Sequence, residues 1–356
     1  MADNKNQHYV PKAYLRRFSL DGRTVNLFNL RQKDCKEGAS FRDQCSEDYF
    51  YCKNDRDIPE IKEAEDPYGA AVNALESGAR LDEDIALDLR RFIFFQHLRT
   101  DMALGQAMAF FEAATAFERH VDPEADERDT WDESVRANVA AFNRHFPEIA
   151  DLKTCIVRNK TDVPFVTSDH PAILANPYHT QKNLADFGVG SAGALMMMPL
   201  SPTFLALLYD GDVYSITHKD RILELENRDD VDALNDFQFL NCHRNVYFHA
   251  WQDCSYVKAR AERTLTQRPA SFQTVLFVRH NLDGTQQIME PDQFKTGDAG
   301  HMEGHFHRPA PSRWPSFLPV RPDATAWETG HEKKLLRSHS RVIARYKGER
   351  ACKISL

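Results

Sequence analysis

The hydrophobic pattern changes character partway along the chain. From Leu81 to His120 apolar residues recur every three or four positions, as Ile85, Leu89, Phe92, Phe95 and Leu98, then Met102, Met108, Phe111 and Phe117. That spacing predicts a long amphipathic helical segment, which Gly105 divides in two. Trp131, Val135, Val139, Phe142 and Phe146 repeat the period and predict a further helix, after a charged loop over Asp122–Glu133. An earlier helix between Asp57 and Gly78 must kink or restart at Pro67. Beyond Lys153 the pattern shortens. Thr154–Val157, Pro164–Thr167, Met196–Leu200 and Phe204–Leu208 are brief apolar runs between turn residues, and read as strands. Asp210-Gly211 ahead of Val213–Ile216 predicts a hairpin; Val231, Leu234 and Phe237 predict a helix, and Asn245–Ala250 a strand. Ser255–Arg268 reads as helical and Gln273–Val278 as a strand. Helices first and strands later, with no βαβ repeat, predict an α+β fold. Its helix-rich N-terminal half packs on a mixed or antiparallel sheet formed mainly by the second half.

Both ends depart from this pattern. The opening is dense in aromatic, apolar and basic residues. Pro11 suits a first helical turn, and Tyr14, Leu15 and Phe18 then share one face while Lys12 and Arg16 lie on another. Thr24–Leu30 reads as a strand after the Asp21-Gly22 turn, and Tyr49-Phe50-Tyr51 as an aromatic cluster pinned into the core. Past Glu290 five prolines from Pro309 to Pro322 lie among His, Gly and Arg, which describes an irregular extension. The expected organisation is therefore a core over 1–290 and a Pro/His-rich C-terminal extension over 291–356.

Composition narrows the class. With 356 residues, 42% hydrophobic and 28% charged, the chain is an ordinary globular protein. A net charge of −8 gives no global attraction to nucleic acid, although a local basic patch is compatible with a phosphodiester substrate. The N-terminus lacks the apolar core of a signal peptide, and no run approaches the roughly 18 apolar residues of a spanning helix, so no membrane association is expected. Seven scattered cysteines without a CxxC pair suit a reducing compartment, and a cytoplasmic location is expected.

Two segments carry a resemblance. His8-Tyr9-Val10-Pro11-Lys12-Ala13-Tyr14-Leu15-Arg16-Arg17-Phe18 and Phe165-Val166-Thr167-Ser168-Asp169-His170-Pro171, taken together, resemble the bacterial family called domain of unknown function 4238. Weaker matches are Tyr49-Phe50-Tyr51, Ile61–Glu65, Gln96 with Arg99-Thr100, Pro199–Pro202, and Asn235 ahead of Val246-Tyr247. The resemblance spans roughly residues 7–260 and brings no activity with it.

The family-like positions hold many groups that bind anions or move protons. If the N-terminal segment folds onto the strand end at Asp169, His8 serves as general acid or base. Arg99 and Lys12 then hold a phosphate or carboxylate, and Asp169 either orients His8 or ligates a divalent metal. The expected catalytic set is His8, Arg99 and Asp169, with Arg16, Gln96, Thr167, Ser168 and His170 joining Lys12 in substrate binding. That chemistry suits a phosphodiesterase or nuclease acting on nucleic acid or nucleotides. A nucleotide- or anion-binding sensor, or an interaction module of bacterial defence, would use the same groups without catalysis. A third reading is structural: Thr-Ser-Asp is also a turn and capping sequence, Arg99 could be a buried ion-pair partner, and His8 a satisfied core histidine.

Other clusters are weaker. Gly188, Gly190 and Gly193 have the spacing of a nucleotide fingerprint but lack a preceding strand, so a flexible loop beside the site is favoured. Glu60, Glu63, Glu65 and Asp66 read as a solvated helix face. His301, Glu303, His305 and His307 read as a polar tail, with zinc or nickel binding as the alternative. Arg337, His339, Arg341, Arg345 and Lys347 form a modest basic patch.

Overall fold

The computed structural model describes residues 5–51, 58–122, 129–182, 187–281, 283–295, 298–329, 334–341 and 351–355. The chain opens with β1 (Asn6–His8), the single turn α1 (Lys12–Leu15), and the strands β2 (Thr24–Asn29), β3 (Asp34–Ser40) and β4 (Ser46–Asp48). Four helices follow: α2 (Pro59–Glu76), α3 (Glu83–Leu98), α4 (Asp101–Val121) and α5 (Thr130–Ile149). The next block holds β5 (Lys153–Asn159), β6 (Thr167–Ser168), β7 (Ile173–Ala175), α6 (Pro177–Gln181), β8 (Leu195–Pro199), β9 (Phe204–Tyr209) and β10 (Ile222–Leu225). It continues through α7 (Arg228–Asn241), β11 (Asn245–Phe248) and α8 (Cys254–Thr264). The last strands are β12 (Gln273–His280), β13 (Gln286–Met289), β14 (Gly300–Phe306), β15 (Thr325–Thr329), β16 (Leu335–Leu336) and β17 (Ala351–Ser355). Helices dominate the first half and mostly antiparallel sheets the second, so the fold is α+β as the pattern predicts.

The central sheet runs β10-β5-β9-β8-β7, with β10 parallel to β5 and every other pair antiparallel. Both its faces are buried, and alternate residues divide between two cores. Ile156, Leu174, Met196, Met198, Ala206 and Leu208 pack with the aromatic faces of the helices. Cys155, Ile173, Leu195, Met197, Leu205 and Leu207 pack with Val231, Leu234 and Phe237 of α7. Burial on both sides explains why these strands read as continuous apolar runs rather than alternating ones. A second sheet, β3-β2-β11-β6, joins the N-terminal hairpin to the strand that carries Thr167 and Ser168. Tyr14, Leu15 and Phe18 are buried and Lys12 and Arg16 exposed, as the helical spacing requires.

Several expectations change. The long helical segment breaks at Arg99–Thr100 and not at Gly105. Thr100 caps α4 by accepting from the Ala103 N–H at 3.3 Å, whereas Gly105 is exposed inside that helix. Pro67 lies within a single helix, α2. The charged loop is shorter than its charge suggests, because α5 starts at Thr130. No hairpin follows Asp210. Its carboxylate accepts from the Gly193 N–H at 2.8 Å, Tyr214 bridges to Val320, and β10 takes the sheet edge instead. The region after residue 290 is more regular than its prolines imply: β14 pairs with β12 along its length, and Leu318, Ala326 and Leu335 join the second core. No helix among the described residues is long and apolar enough to cross a membrane.

Candidate functional site

The two motif segments meet, and α3 binds both. Tyr14 donates to the Pro199 carbonyl at 2.7 Å, so the Thr167 hydroxyl is the donor in their 2.5 Å bond. At the end of α3 successive side chains diverge, because each residue turns about 100° from the last. Gln96 and Arg99 face the N-terminal segment, while His97 and Thr100 face the loop after Asp169. Gln96 donates to the Tyr9 carbonyl at 2.8 Å. Arg99 donates to the His8 carbonyl and to the Tyr51 hydroxyl, both at 2.8 Å, and pairs with Glu65. Its guanidinium also lies over the Tyr51 and Phe95 rings.

The expected His8–Arg99–Asp169 constellation does not assemble. Arg99 reaches the backbone of His8 and not its imidazole. His8 donates from Nδ1 to the Gln44 carbonyl at 3.2 Å, and burial, reinforced by Lys12, pushes its pKa down to about 4. Its Nε2 is buried with no hydrogen-bond partner among the described residues. Asp169 faces elsewhere: its carboxylate accepts from the backbone N–H groups of His243, Arg244 and Asn245 at 2.7, 2.6 and 2.9 Å. Burial raises its pKa, against those three donors. Ser168 is likewise engaged, donating to Gln238 Oε1 at 2.8 Å and accepting from the His170 N–H at 3.2 Å. Lys12 and Arg16 point outward. Of the nine expected residues, His170 lines a large cavity and Arg99 borders a small hollow.

That cavity, of about 690 Å³, lies between α3, α4 and α5 on one side and β7, the 188–191 turn and the β12–β14 sheet on the other. Phe94, Met102, Phe110, Phe111, Ile173 and Leu174 give it apolar walls. Its polar groups include His97, His170, Gln106, Asn241 and Arg308, with His145 and Glu148 joined at 3.0 Å by a side-chain bond. The size, and the combination of apolar walls with polar groups that include Lys334, are those of small-molecule sites. A hollow under Arg99, lined by Phe50, Ile58, Phe95 and Leu98, holds only about 20 Å³, room for little beyond a water.

His97 and His170 sit side by side in the cavity wall, ring centroids 5.4 Å apart. His97 Nδ1 lies 2.9 Å from the Ala172 carbonyl, which can only accept; Nδ1 therefore carries the proton and Nε2 is a bare lone pair. His170 Nδ1 is held by the Thr100 hydroxyl at 2.6 Å. Burial pushes the pKa of His97 down to about 4 and that of His170 well below the usual range, so both imidazoles are neutral at pH 7. Each keeps Nε2 as the nitrogen without a partner among the described residues. The sequence reading missed His97 and Arg308. His97 carried a signal in its position three residues before Thr100, the spacing that aligns two side chains on one face.

The remaining clusters hold the fold. Arg337 is buried, pairs with Asp151 at 3.2 Å and donates to the carbonyls of Ser191, at 3.1 Å, Val189 and Glu148. It thereby pins the glycine-containing turn that the sequence reads as flexible, and it leaves the basic patch; Arg345 and Lys347 lie outside the described residues. His339 donates to the Pro147 carbonyl, and Arg341 covers the Trp327 ring. Glu65 serves Arg99, and Glu60 accepts from Asn143. His301, Glu303 and His305 sit on β14, where Glu303 bridges the two imidazoles and His280 joins through His301. No group of three or more His, Cys, Asp or Glu among the described residues is arranged to hold a metal ion.

Comparison with known proteins agrees with the motif resemblance. The model of a family described as "Protein of unknown function (DUF4238)" matches residues 6–251, which takes in both motif segments and the whole of α3. No curated protein and no solved structure matches the chain.

Proposed function

Since the chain belongs to the domain of unknown function 4238 family, whose description carries no activity, we propose a function from the site: the protein binds an amphipathic small molecule in the cavity beside His97 and His170. The observation that supports this reading is the 690 Å³ cavity itself. It combines apolar walls with two histidines whose Nδ1 atoms are fixed and whose Nε2 atoms have no partner among the described residues. Fixed orientation of a few polar groups in an apolar hollow is what small-molecule recognition needs. The non-catalytic sensor is thus favoured over the phosphodiesterase. Arg99 and Asp169, which that chemistry required at one cleft, are each engaged with backbone groups on different segments.

A thermal-shift screen of a small-molecule library tests the proposal. Ala107 lies in the cavity wall on α4, and Ala107→Trp fills the space from a helix surface. Compounds that raise the Tm of the native protein should lose their effect on Ala107→Trp. The proposal fails if no compound stabilises the native protein, or if the variant responds equally.

A further inference from the structure

The hydrogen bonds behind His97 and His170 decide which nitrogen of each ring carries the proton, and with it the head group that the cavity recognises. This inference rests on the binding role proposed above. His97 is the simpler case. The Ala172 carbonyl, 2.9 Å from Nδ1, has no proton to give, so the ring donates there and keeps a lone pair on Nε2. His170 is the opposite case, and Thr100 decides it. Thr100 is 0% exposed, and its side-chain oxygen accepts from the Ala103 N–H at 3.3 Å. Its hydroxyl proton needs an acceptor too, because an unpaired O–H is costly to bury. Among the described residues that acceptor is His170 Nδ1, at 2.6 Å. Nδ1 of His170 therefore holds a lone pair, and the proton of this neutral ring sits on Nε2.

Two neutral histidines thus offer opposite chemistry, an acceptor at His97 Nε2 and an N–H donor at His170 Nε2. Both rings line the cavity, with centroids 5.4 Å apart and planes inclined at 49°. The cations of the same lining, Arg308 and Lys334, each have engagements of their own, Arg308 lying over the Phe187 and Phe306 rings. A carboxylate only accepts, so it satisfies His170 and sets an oxygen against the lone pair of His97. An ammonium only donates, and fails at His170. A hydroxyl must serve both rings from one oxygen. A carboxamide carries an acceptor and a donor on two atoms of one planar group, and so answers two nitrogens on separate rings. We infer that the cavity takes an uncharged carboxamide with an apolar body. Its carbonyl accepts from His170 Nε2, its N–H donates to His97 Nε2, and its body lies along Phe94, Phe110 and Phe111.

Two measurements test this. Long-range ¹H–¹⁵N correlation spectra of the free protein should show His97 protonated on Nδ1 and His170 on Nε2; the same tautomer at both would overturn the inference without any ligand. Isothermal titration of the full chain then compares octanamide with N,N-dimethyloctanamide, which keeps the carbonyl and loses the N–H donors, and with octanoate and 1-octanol. Octanamide should bind about tenfold more tightly than the other three, the effect of one added bond to a buried polar partner. His97→Phe should bring octanamide down to the level of the dimethyl amide. Equal binding of all four, or tighter binding of octanoate through Arg308 and Lys334, would overturn the amide assignment. If Ala107→Trp abolishes that binding, the binding role stands. Binding that Ala107→Trp does not affect would overturn both. Binding of none of the four would overturn the amide assignment, and the binding role falls with it if the thermal-shift screen also finds no compound.

Discussion

Asp169 shows how one side chain can look catalytic and act as a brace. It is buried, yet its two oxygens accept three backbone N–H groups from the turn that leads into β11. Asp169→Ala strands those donors and should lower stability by about 2 kcal/mol or more in urea unfolding; an unchanged midpoint would contradict this role. The histidines set the pH response. His8 and His97 have pKa values of about 4, and that of His170 lies well below normal, against about 6.5 in an unfolded chain. Between pH 6.5 and 4 the unfolded state therefore binds more protons, and stability falls as the pH falls. The more deeply buried His97 and His170 each contribute up to about 1.4 kcal/mol per pH unit in that window, and the partly exposed His8 less. Melting followed from pH 7 to pH 5 should show a declining Tm, and a flat profile would contradict the neutral, buried assignment.

At the scale of elements, the junction between α3 and α4 organises the site, because it sends Gln96 and Arg99 one way and His97 and Thr100 the other. Thr100→Ala removes both the helix cap and the anchor of His170 and should cost about 1 kcal/mol in thermal or chemical unfolding. Gly105→Ala should do the reverse. A Cβ there meets nothing within 4 Å, so the substitution should stabilise by about 0.5–1 kcal/mol. A destabilised Gly105→Ala protein would mean that the break lies at the glycine after all. The same junction marks where sequence stops being legible. The faces of α1, α3 and α5 could be read because period alone reports burial, as with Tyr14, Leu15 and Phe18. Strands β5, β8 and β9 of the central sheet could be read as apolar runs, whereas the short β7 and β10 escaped that reading. The break could not, since Thr100 is fixed by a histidine 70 residues away. The meeting of the motif segments could be posed as the condition for a site at His8 and Asp169, but the Tyr14–Thr167 bond that makes it was not legible. The position of the cavity was not, because His97 is an isolated polar residue in an apolar stripe and its role depends on the Ala172 carbonyl, 75 residues on.

At the scale of the molecule, the C-terminal region is stitched into the core. Arg337 reaches carbonyls at residues 148, 189 and 191 from a segment whose composition suggests an irregular tail. Arg337→Met should leave Asp151 and these carbonyls without their donor and cost about 3 kcal/mol, read as a lower Tm and faster proteolysis. Because Arg337 also holds the 188–191 turn in the cavity wall, its loss should weaken ligand binding as well. The motif residues thus build the frame, and the cavity beside it carries the proposed function. The most direct test is ¹⁵N–¹H NMR of the imidazole side chains while a compound that raises the Tm of the native protein is added. The account predicts that the His97 and His170 resonances shift and saturate together while that of His8, whose Nε2 is buried outside the cavity, stays in place. Shifts at His8 alone, or none at His97 and His170 under saturating ligand, would contradict it.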